Sequence, residues 1–238
     1  QLTAELEHGD IEIENWNAFA ATAVPAGTDV LFITGPQTVW LAGEVAAVDA
    51  YLQHGGRVVL LLEPSLPRNA NVMMPTGFES LLSRWGIGIH ADIVIDRDNG
   101  VPFLGPETFS ASLLALHPVT RSIDKGRVLF TLARSLSIDA PPPEVVVNTL
   151  SESSSTAWGE TAIDKLSAVA NDTADTRAPL GLLLAAEHKA STKDQRPARL
   201  IVSGDADVAS NMFMGSASNR DFWLNAIAWL LDEQQTLG

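Results

Sequence analysis

The sequence contains no cysteine, and this absence excludes several kinds of chemistry. Disulfide bonds, thiolate metal sites and cysteine nucleophiles all require that residue. Basic residues are also few: 15 lysines and arginines stand against 29 aspartates and glutamates, so the formal net charge is -14. An acidic surface repels the phosphates of nucleic acids and of anionic lipids. The composition therefore argues against a nucleic-acid-binding protein and against attachment to an anionic membrane surface.

Several motifs of known function are missing as well. No apolar run approaches the roughly 20 residues of a membrane span. No glycine-rich phosphate loop of the G-x-G-x-x-G or Walker type occurs, and the G-x-S-x-G elbow of serine hydrolases is absent. The histidines show no zinc-ligand spacing. His117, which precedes Pro118, is the most interesting of them, and we expect a structural role for it. The sequence predicts no cofactor, no metal site and no catalytic triad.

The clearest pattern in the chain is a strand, a helix and a second strand between Asp29 and Pro64. Val30–Ile33 and Val58–Leu62 are short continuous apolar runs, which are typical of strands buried on both faces of a parallel sheet. Four apolar residues between them recur at helical spacing: Leu41, Val45, Val48 and Leu52. The pattern predicts a βαβ unit with a right-handed crossover.

The end of the chain completes the predicted fold. Leu200–Val202 is a third apolar run, which predicts another central strand. Asn219 is a good N-cap for a last helix, whose buried face we predict to include Trp223, Ile227, Leu230 and Leu231. The sequence therefore predicts a single α/β domain over residues 1–238, with a mainly parallel sheet flanked by helices. Ala91–Ile95 and Arg127–Leu136 are further predicted strands.

Polar residues follow the predicted parallel strands, and these residues form the candidate binding site. Ligands of open α/β sheets bind beyond the carboxyl ends of the strands. We therefore predict a polar ligand site formed by residues of three turns: Gly35, Gln37, Glu63, Asp205, Asp207 and Asn211. The simpler interpretation is that Asp205 and Asp207 hydrogen-bond the backbone of an ordinary turn. The functional alternative is a polar or cation site made of oxygen ligands, with Asn211 and Asn219 nearby in sequence.

Short segments spread along the chain resemble one protein family. They include "LLSRWGI" at 81–87, "VSGDADVASN" at 202–211 and "NAIAWL" at 225–230. In this order they resemble the auxiliary domain of ABC-type transport systems related to the gliding-motility protein GldG. The resemblance implies an α/β fold like class I glutamine amidotransferases and other flavodoxin-like three-layer proteins. It also implies an ABC permease and ATPase as partners.

The same resemblance carries an expectation about the parent protein. Proteins of this kind are membrane-anchored, so we expect a periplasmic domain of an inner-membrane protein. The family's earlier strand, which ends in a Gly-His-Gly-Glu-like turn, is not found here. We expect the sequence to be a fragment that lacks this first strand, which would remove one wall of any pocket.

Two functions are compatible with these patterns. The first is a non-catalytic auxiliary domain that binds a ligand or a partner protein. The alternative is a hydrolase-like enzyme that acts on glycans through Asp205, Asp207 and Glu63, because carboxylates about 5 to 10 Å apart can catalyse glycoside hydrolysis. The alternative requires these carboxylates to converge in one concave pocket.

Overall fold

The computed structural model describes residues 11–65, 72–114, 116–163, 171–190, 192 and 195–232. Three α-helices occur in this part of the chain: α1 (Ala42–Gln53), α2 (Glu79–Arg84) and α3 (Asn219–Leu230). The strands are as follows: β1 (Leu31–Thr34), β2 (Arg57–Leu61), β3 (Ile87–Ile89), β4 (Ile93–Ile95), β5 (Thr108–Ser112), β6 (Arg127–Thr131), β7 (Leu136–Ile138), β8 (Val145–Glu152), β9 (Trp158–Glu160), β10 (Thr176–Arg177), β11 (Gly181–His188) and β12 (Ala198–Ser203).

The main sheet is mixed, with the order β1-β2-β12-β11-β7-β3 and with β8 beside β11. β1 pairs with β2 in parallel, as the predicted βαβ unit requires, and β2 also pairs with β12 in parallel. The expectation that Val30–Ile33 is a central strand buried on both faces was wrong, because β1 lies at the edge of the sheet and Phe32 is half-buried. The expectation of a mainly parallel sheet was wrong, because the remaining pairings of this sheet are antiparallel. The connection from β11 to β12, residues 189–197, is shorter than the dozen or more residues of a parallel crossover. It therefore makes a hairpin.

Two further predicted strands differ in the structure. The run Ala91–Ile95 forms β4, but this strand pairs antiparallel with β9 in a separate small sheet. The run Arg127–Leu136 is divided into β6 and β7. The break falls at Leu132, whose φ of 52° lies in the left-handed region. Because a strand needs a negative φ at every residue, this conformation ends β6.

The core lies on both faces of the main sheet. Successive side chains of β2 point to opposite faces, as the pleat requires. Leu60 packs with α1 and α2 on one face, where Leu52 and Leu82 are also buried. On the other face, Leu61 belongs to a cluster with Phe222 of α3. The antiparallel β5–β6 hairpin contributes two stacked aromatic rings to this second face: Phe109 and Phe130.

The last helix is buried along the face that the sequence predicts, with two differences. Trp223, Ile227 and Leu230 are buried, whereas Leu231 is half-buried at the C-cap. Ser218, not Asn219, occupies the N-cap position. Asn219 lies inside the core, where its amide bonds the backbone of β6. In the described part of the chain, no helix combines the length and the apolar character that a membrane crossing requires.

Candidate functional site

An open cleft of about 420 Å³ lies where β1, β2 and β12 end. This is the edge at which ligands of parallel α/β sheets bind. Four of the six predicted site residues line the cleft: Gly35, Gln37, Glu63 and Asp207. Thr34 and Ser210 also line it and were not predicted. Thr34 is the last residue of β1, so its position at the end of a predicted strand could have identified it as a site residue from the sequence.

Gly35 allows the turn after β1 to approach the turn after β12. Its φ of 54° lies in the left-handed region, and its backbone N–H donates to Leu61 O at 2.9 Å. A Cβ atom at this position would lie 3.3 Å from the Cβ of Ala206, which is closer than most such contacts. Gln37 is fixed beside it, because Nε2 donates to Gly35 O at 3.1 Å. The glycine therefore shapes one wall of the cleft.

Glu63 is a half-buried carboxylate that lines the cleft. Its Oε2 accepts a hydrogen bond from Ala206 N at 3.2 Å, which ties the end of β2 to the turn after β12. Burial raises the pKa of Glu63 above its ordinary value, and the nearby charge of Asp207 acts in the same direction. The Ala206 N–H opposes the shift by stabilising the ionised form.

Asp205 lies behind the cleft and does not line it. Its side chain is fully buried, and its two oxygens accept hydrogen bonds from Thr131 N and Asp207 N, each at 2.7 Å. Burial raises the pKa of Asp205 well above its ordinary value, although these two N–H groups oppose the shift. The bond to the N–H two residues ahead is the ordinary chemistry of an aspartate in a turn. The turn interpretation is therefore right for Asp205.

Asn211 and Asn219 are not brought into the cleft. Asn211 is exposed on the surface beyond Ser210 and is not among the lining residues. Asn219 is buried, accepts a hydrogen bond from Leu129 N at 3.0 Å and donates one to Val208 O at 3.0 Å. Within the described ranges, no group of three or more histidine or acidic side chains is arranged to hold a metal ion.

His117 has the structural role that the sequence predicts. The ring is buried and packs edge-on against Trp229, with the ring centroids 4.8 Å apart. Burial lowers the pKa of His117 from 6.5 to about 4, and the charge of Arg199 adds to this effect, whereas Glu187 opposes it. Its Nδ1 accepts a hydrogen bond from Val119 N at 3.2 Å, which requires an unprotonated nitrogen.

The cleft offers acceptors and hydroxyl groups to a ligand. Glu63 and Asp207 supply carboxylates, Gln37 an amide, and Thr34 and Ser210 hydroxyls. The Ser210 Oγ is buried and has no hydrogen-bond partner in the part of the chain that the structure describes. The residues that the structure shows lining the cleft include no lysine or arginine. This chemistry suits a cationic or neutral polar group and disfavours phosphate.

Comparisons with known proteins give a family and a structural neighbour. A model of the family described as "ABC-type uncharacterized transport system" matches residues 1–226. The comparison with curated proteins gave no significant match. A solved structure described as "mmIFT52 N-terminal domain" is similar over 100% of this chain and 92% of its own, with a TM-score of 0.67 and 15% identity. A ThuA-like protein from Parabacteroides merdae covers 91% of this chain and 75% of its own, with a TM-score of 0.49 and 12% identity.

Proposed function

The chain belongs to the auxiliary family of ABC-type transport systems, and from this membership we propose that it is a non-catalytic domain that binds a partner or a polar ligand. The family match over residues 1–226 carries the proposal, because it includes every described strand and the greater part of α3. The likeness to the IFT52 domain, at 15% identity, concerns the fold alone.

The geometry of the carboxylates supports a binding role. A glycosidase needs two carboxyl groups that reach the substrate. Asp205 has no exposed surface, and both of its oxygens accept backbone hydrogen bonds. One oxygen of Glu63 is likewise bonded to the backbone, at Ala206. Glu63 and Asp207 line the cleft, but Asp205 does not, so the three carboxylates do not converge in one pocket as the glycan-hydrolase alternative required, and we do not propose that alternative.

We propose that the partners are the permease and ATPase subunits of one transport system. The resemblance of the sequence to GldG-like proteins motivates this proposal and also a position outside the cytoplasm. Isolation of the full-length protein from native membranes tests the partnership. Permease and ATPase subunits of the same system should co-isolate with it, whereas their consistent absence under conditions that preserve membrane complexes would contradict the proposal.

The proposed location has its own test. Protease added to intact spheroplasts should digest this domain of the full-length protein, because an extracytoplasmic domain is accessible from that side. A cytoplasmic marker protein serves as the control for spheroplast integrity. Protection of the domain while an external marker is digested would contradict a position outside the cytoplasm.

We further propose that the cleft holds a cationic or neutral polar group weakly. Two carboxylates in a half-buried setting attract a protonated amine, and the amide and hydroxyl groups can bind sugar hydroxyls. NMR titrations with spermidine and with maltose test both classes. Shifts should occur at Thr34, Gln37 and Glu63 and should be lost in the Glu63→Gln/Asp207→Asn double variant. Shifts that persist in the double variant would place binding elsewhere.

A further inference from the structure

A tight turn at Val101–Leu104 presents two apolar side chains to solvent. Phe103 is fully exposed, at 106% of its reference surface, and Leu104 is 57% exposed. The turn is closed by a hydrogen bond from Leu104 N to Val101 O at 3.1 Å. Exposed single apolar residues are common on protein surfaces, but a fully exposed phenylalanine at a turn tip is an aromatic side chain of the kind that is enriched in protein interfaces.

The backbone of Phe103 adopts a conformation that this residue type disfavours. Its φ is 69°, in the left-handed region. Pro102 at the second position, a positive φ at the third and the closing hydrogen bond match a type II turn. Glycine or asparagine usually occupies the third position, because a bulky side chain is strained there. Local strain of this kind occurs preferentially at functional sites.

The base of the turn is held rigidly. Val101 N donates to Thr108 O at 3.0 Å, and Thr108 N donates to Gly105 O at 2.9 Å. Asp96, before the turn, is fully buried and accepts hydrogen bonds from the backbone and side chain of both Asn99 and Ser154. An anchor that is fixed before binding loses little conformational entropy when its partner binds. The turn therefore has the preorganisation that a binding element requires.

We propose that the Val101–Leu104 turn inserts Phe103 and Leu104 into an apolar pocket with a basic rim on a partner protein. The charge around the turn selects this partner, because the segment 96–107 presents two accessible carboxylates against one arginine, its third carboxylate, Asp96, being buried, and the whole chain has a formal net charge of -14. Two of the carboxylates, Asp98 and Glu107, are exposed and half-buried respectively. These charges repel an anionic lipid surface and attract basic side chains.

The inference rests on the proposed function for one point, namely that the partner is a subunit of the transport system. Photocrosslinking separates the two claims. Benzoylphenylalanine is placed at position 103 of the full-length protein in its native cells, and the same probe at Phe19, which is 78% exposed, serves as the matched control. The crosslinked peptides are then identified by mass spectrometry.

A position-103 crosslink to an apolar segment flanked by lysine or arginine supports the inference. If that segment belongs to a protein other than a transport subunit, the inference stands and the proposed function fails. Crosslinks to lipid would overturn the inference in favour of membrane insertion. A yield no higher than that at position 19 would overturn it as well.

Affinity and stability measurements on the same variant complete the test. Phe103→Gly should weaken the affinity for the purified crosslinked partner at least about 10-fold, as loss of an interface anchor does. The same substitution should leave the melting temperature unchanged or raise it, because glycine removes the strain and the side chain contacts solvent. Phe19→Gly should leave the affinity unchanged. An unchanged affinity of the Phe103→Gly variant would refute the proposal.

Discussion

Asp205 joins the end of β6 to the turn after β12 through two backbone hydrogen bonds. Replacement by alanine leaves the N–H groups of Thr131 and Asp207 without this acceptor. Each such loss costs about 1–3 kcal/mol when the group stays buried. Asp205→Ala should therefore reduce the free energy of unfolding by about 2–6 kcal/mol, measured by urea denaturation at pH 7.

The neighbouring aspartate provides the matched control. Asp207 lines the cleft and is partly exposed, so Asp207→Ala should change the free energy of unfolding by no more than about 0.5 kcal/mol. Equal denaturation midpoints for wild type and the Asp205→Ala variant would show that its hydrogen bonds are not structural.

His117 should make the protein sensitive to acid. Its pKa is lowered from 6.5 to about 4 in the folded state by burial. Because the pKa of His117 is lower in the folded state than in the unfolded state, its neutral ring contributes its whole stabilisation of the fold above pH 6.5. This contribution is lost as the pH falls through about 4. The loss amounts to at most about 3 kcal/mol, because one pKa unit corresponds to about 1.4 kcal/mol.

A comparison of variants isolates this contribution from the acid response of the carboxylates. The decrease in unfolding free energy between pH 7 and pH 4.5 should be smaller in His117→Phe than in wild type. His54→Gln, at an exposed histidine, should behave as wild type does. An identical acid loss in wild type and His117→Phe would show that this histidine ionises without cost in the folded protein.

Asn219 shows what sequence reasoning missed at the level of single residues. An asparagine before an apolar helical pattern is a normal N-cap, and the pattern is the same whether the side chain caps the helix or enters the core. In the structure its amide joins α3 to β6 and to the 3-10 turn at Asp207–Ala209. The partner in β6 lies 90 residues away along the chain and the partner in the 3-10 turn lies 11 residues away, so local sequence cannot reveal them.

At the scale of elements, α3 is the helix that covers the β5–β6 side of the sheet. Leu230 near its end is fully buried. Leu230→Ala should reduce the free energy of unfolding by about 2–5 kcal/mol, because the substitution leaves a cavity in a packed core. Thermal or urea denaturation measures this loss.

Leu231 is the matched control, since it follows directly in sequence and is half-buried at the C-cap. Leu231→Ala should cost clearly less than Leu230→Ala. Equal losses for the two variants would mean that the buried face of α3 has been assigned incorrectly.

The strands show which elements could be predicted. Val58–Leu62 and Leu200–Val202 are continuous apolar runs, and both are buried on two faces in a parallel arrangement, as predicted. The antiparallel pairings of β11 with β8 and β12 could not be read from the same runs. An apolar run indicates that a segment is buried. The direction of a strand depends instead on the loops that connect the strands and on pairing partners that are distant in sequence.

At the scale of the whole molecule, the cleft follows from the part of the sheet that was predicted correctly. The parallel strands β1, β2 and β12 end together, so Gly35, Glu63 and Asp207 meet at one edge. The sequence could not distinguish Asp205, which faces inward, from Asp207, which lines the cleft. Both follow the same strand within a few residues, and tertiary packing alone decides which one is buried.

The membership of the auxiliary ABC transport family gives this architecture a role. The described surface of the domain includes an acidic cleft at the ends of the parallel strands and an apolar turn at Val101–Leu104. Both features suit recognition, and neither requires a chemical reaction. These features support the proposal that the domain holds a partner or ligand beside a transporter.

The most direct test of the central claim is the affinity of the purified full-length protein for the purified permease–ATPase complex of its own system. The measurement is made in detergent by an equilibrium method such as microscale thermophoresis. We expect a saturable complex with a dissociation constant in the micromolar range or below, which corresponds to a binding free energy of about -8 kcal/mol or better. The absence of binding at concentrations up to about 100 µM, with a complex that retains its ATPase activity, would contradict the proposed partnership.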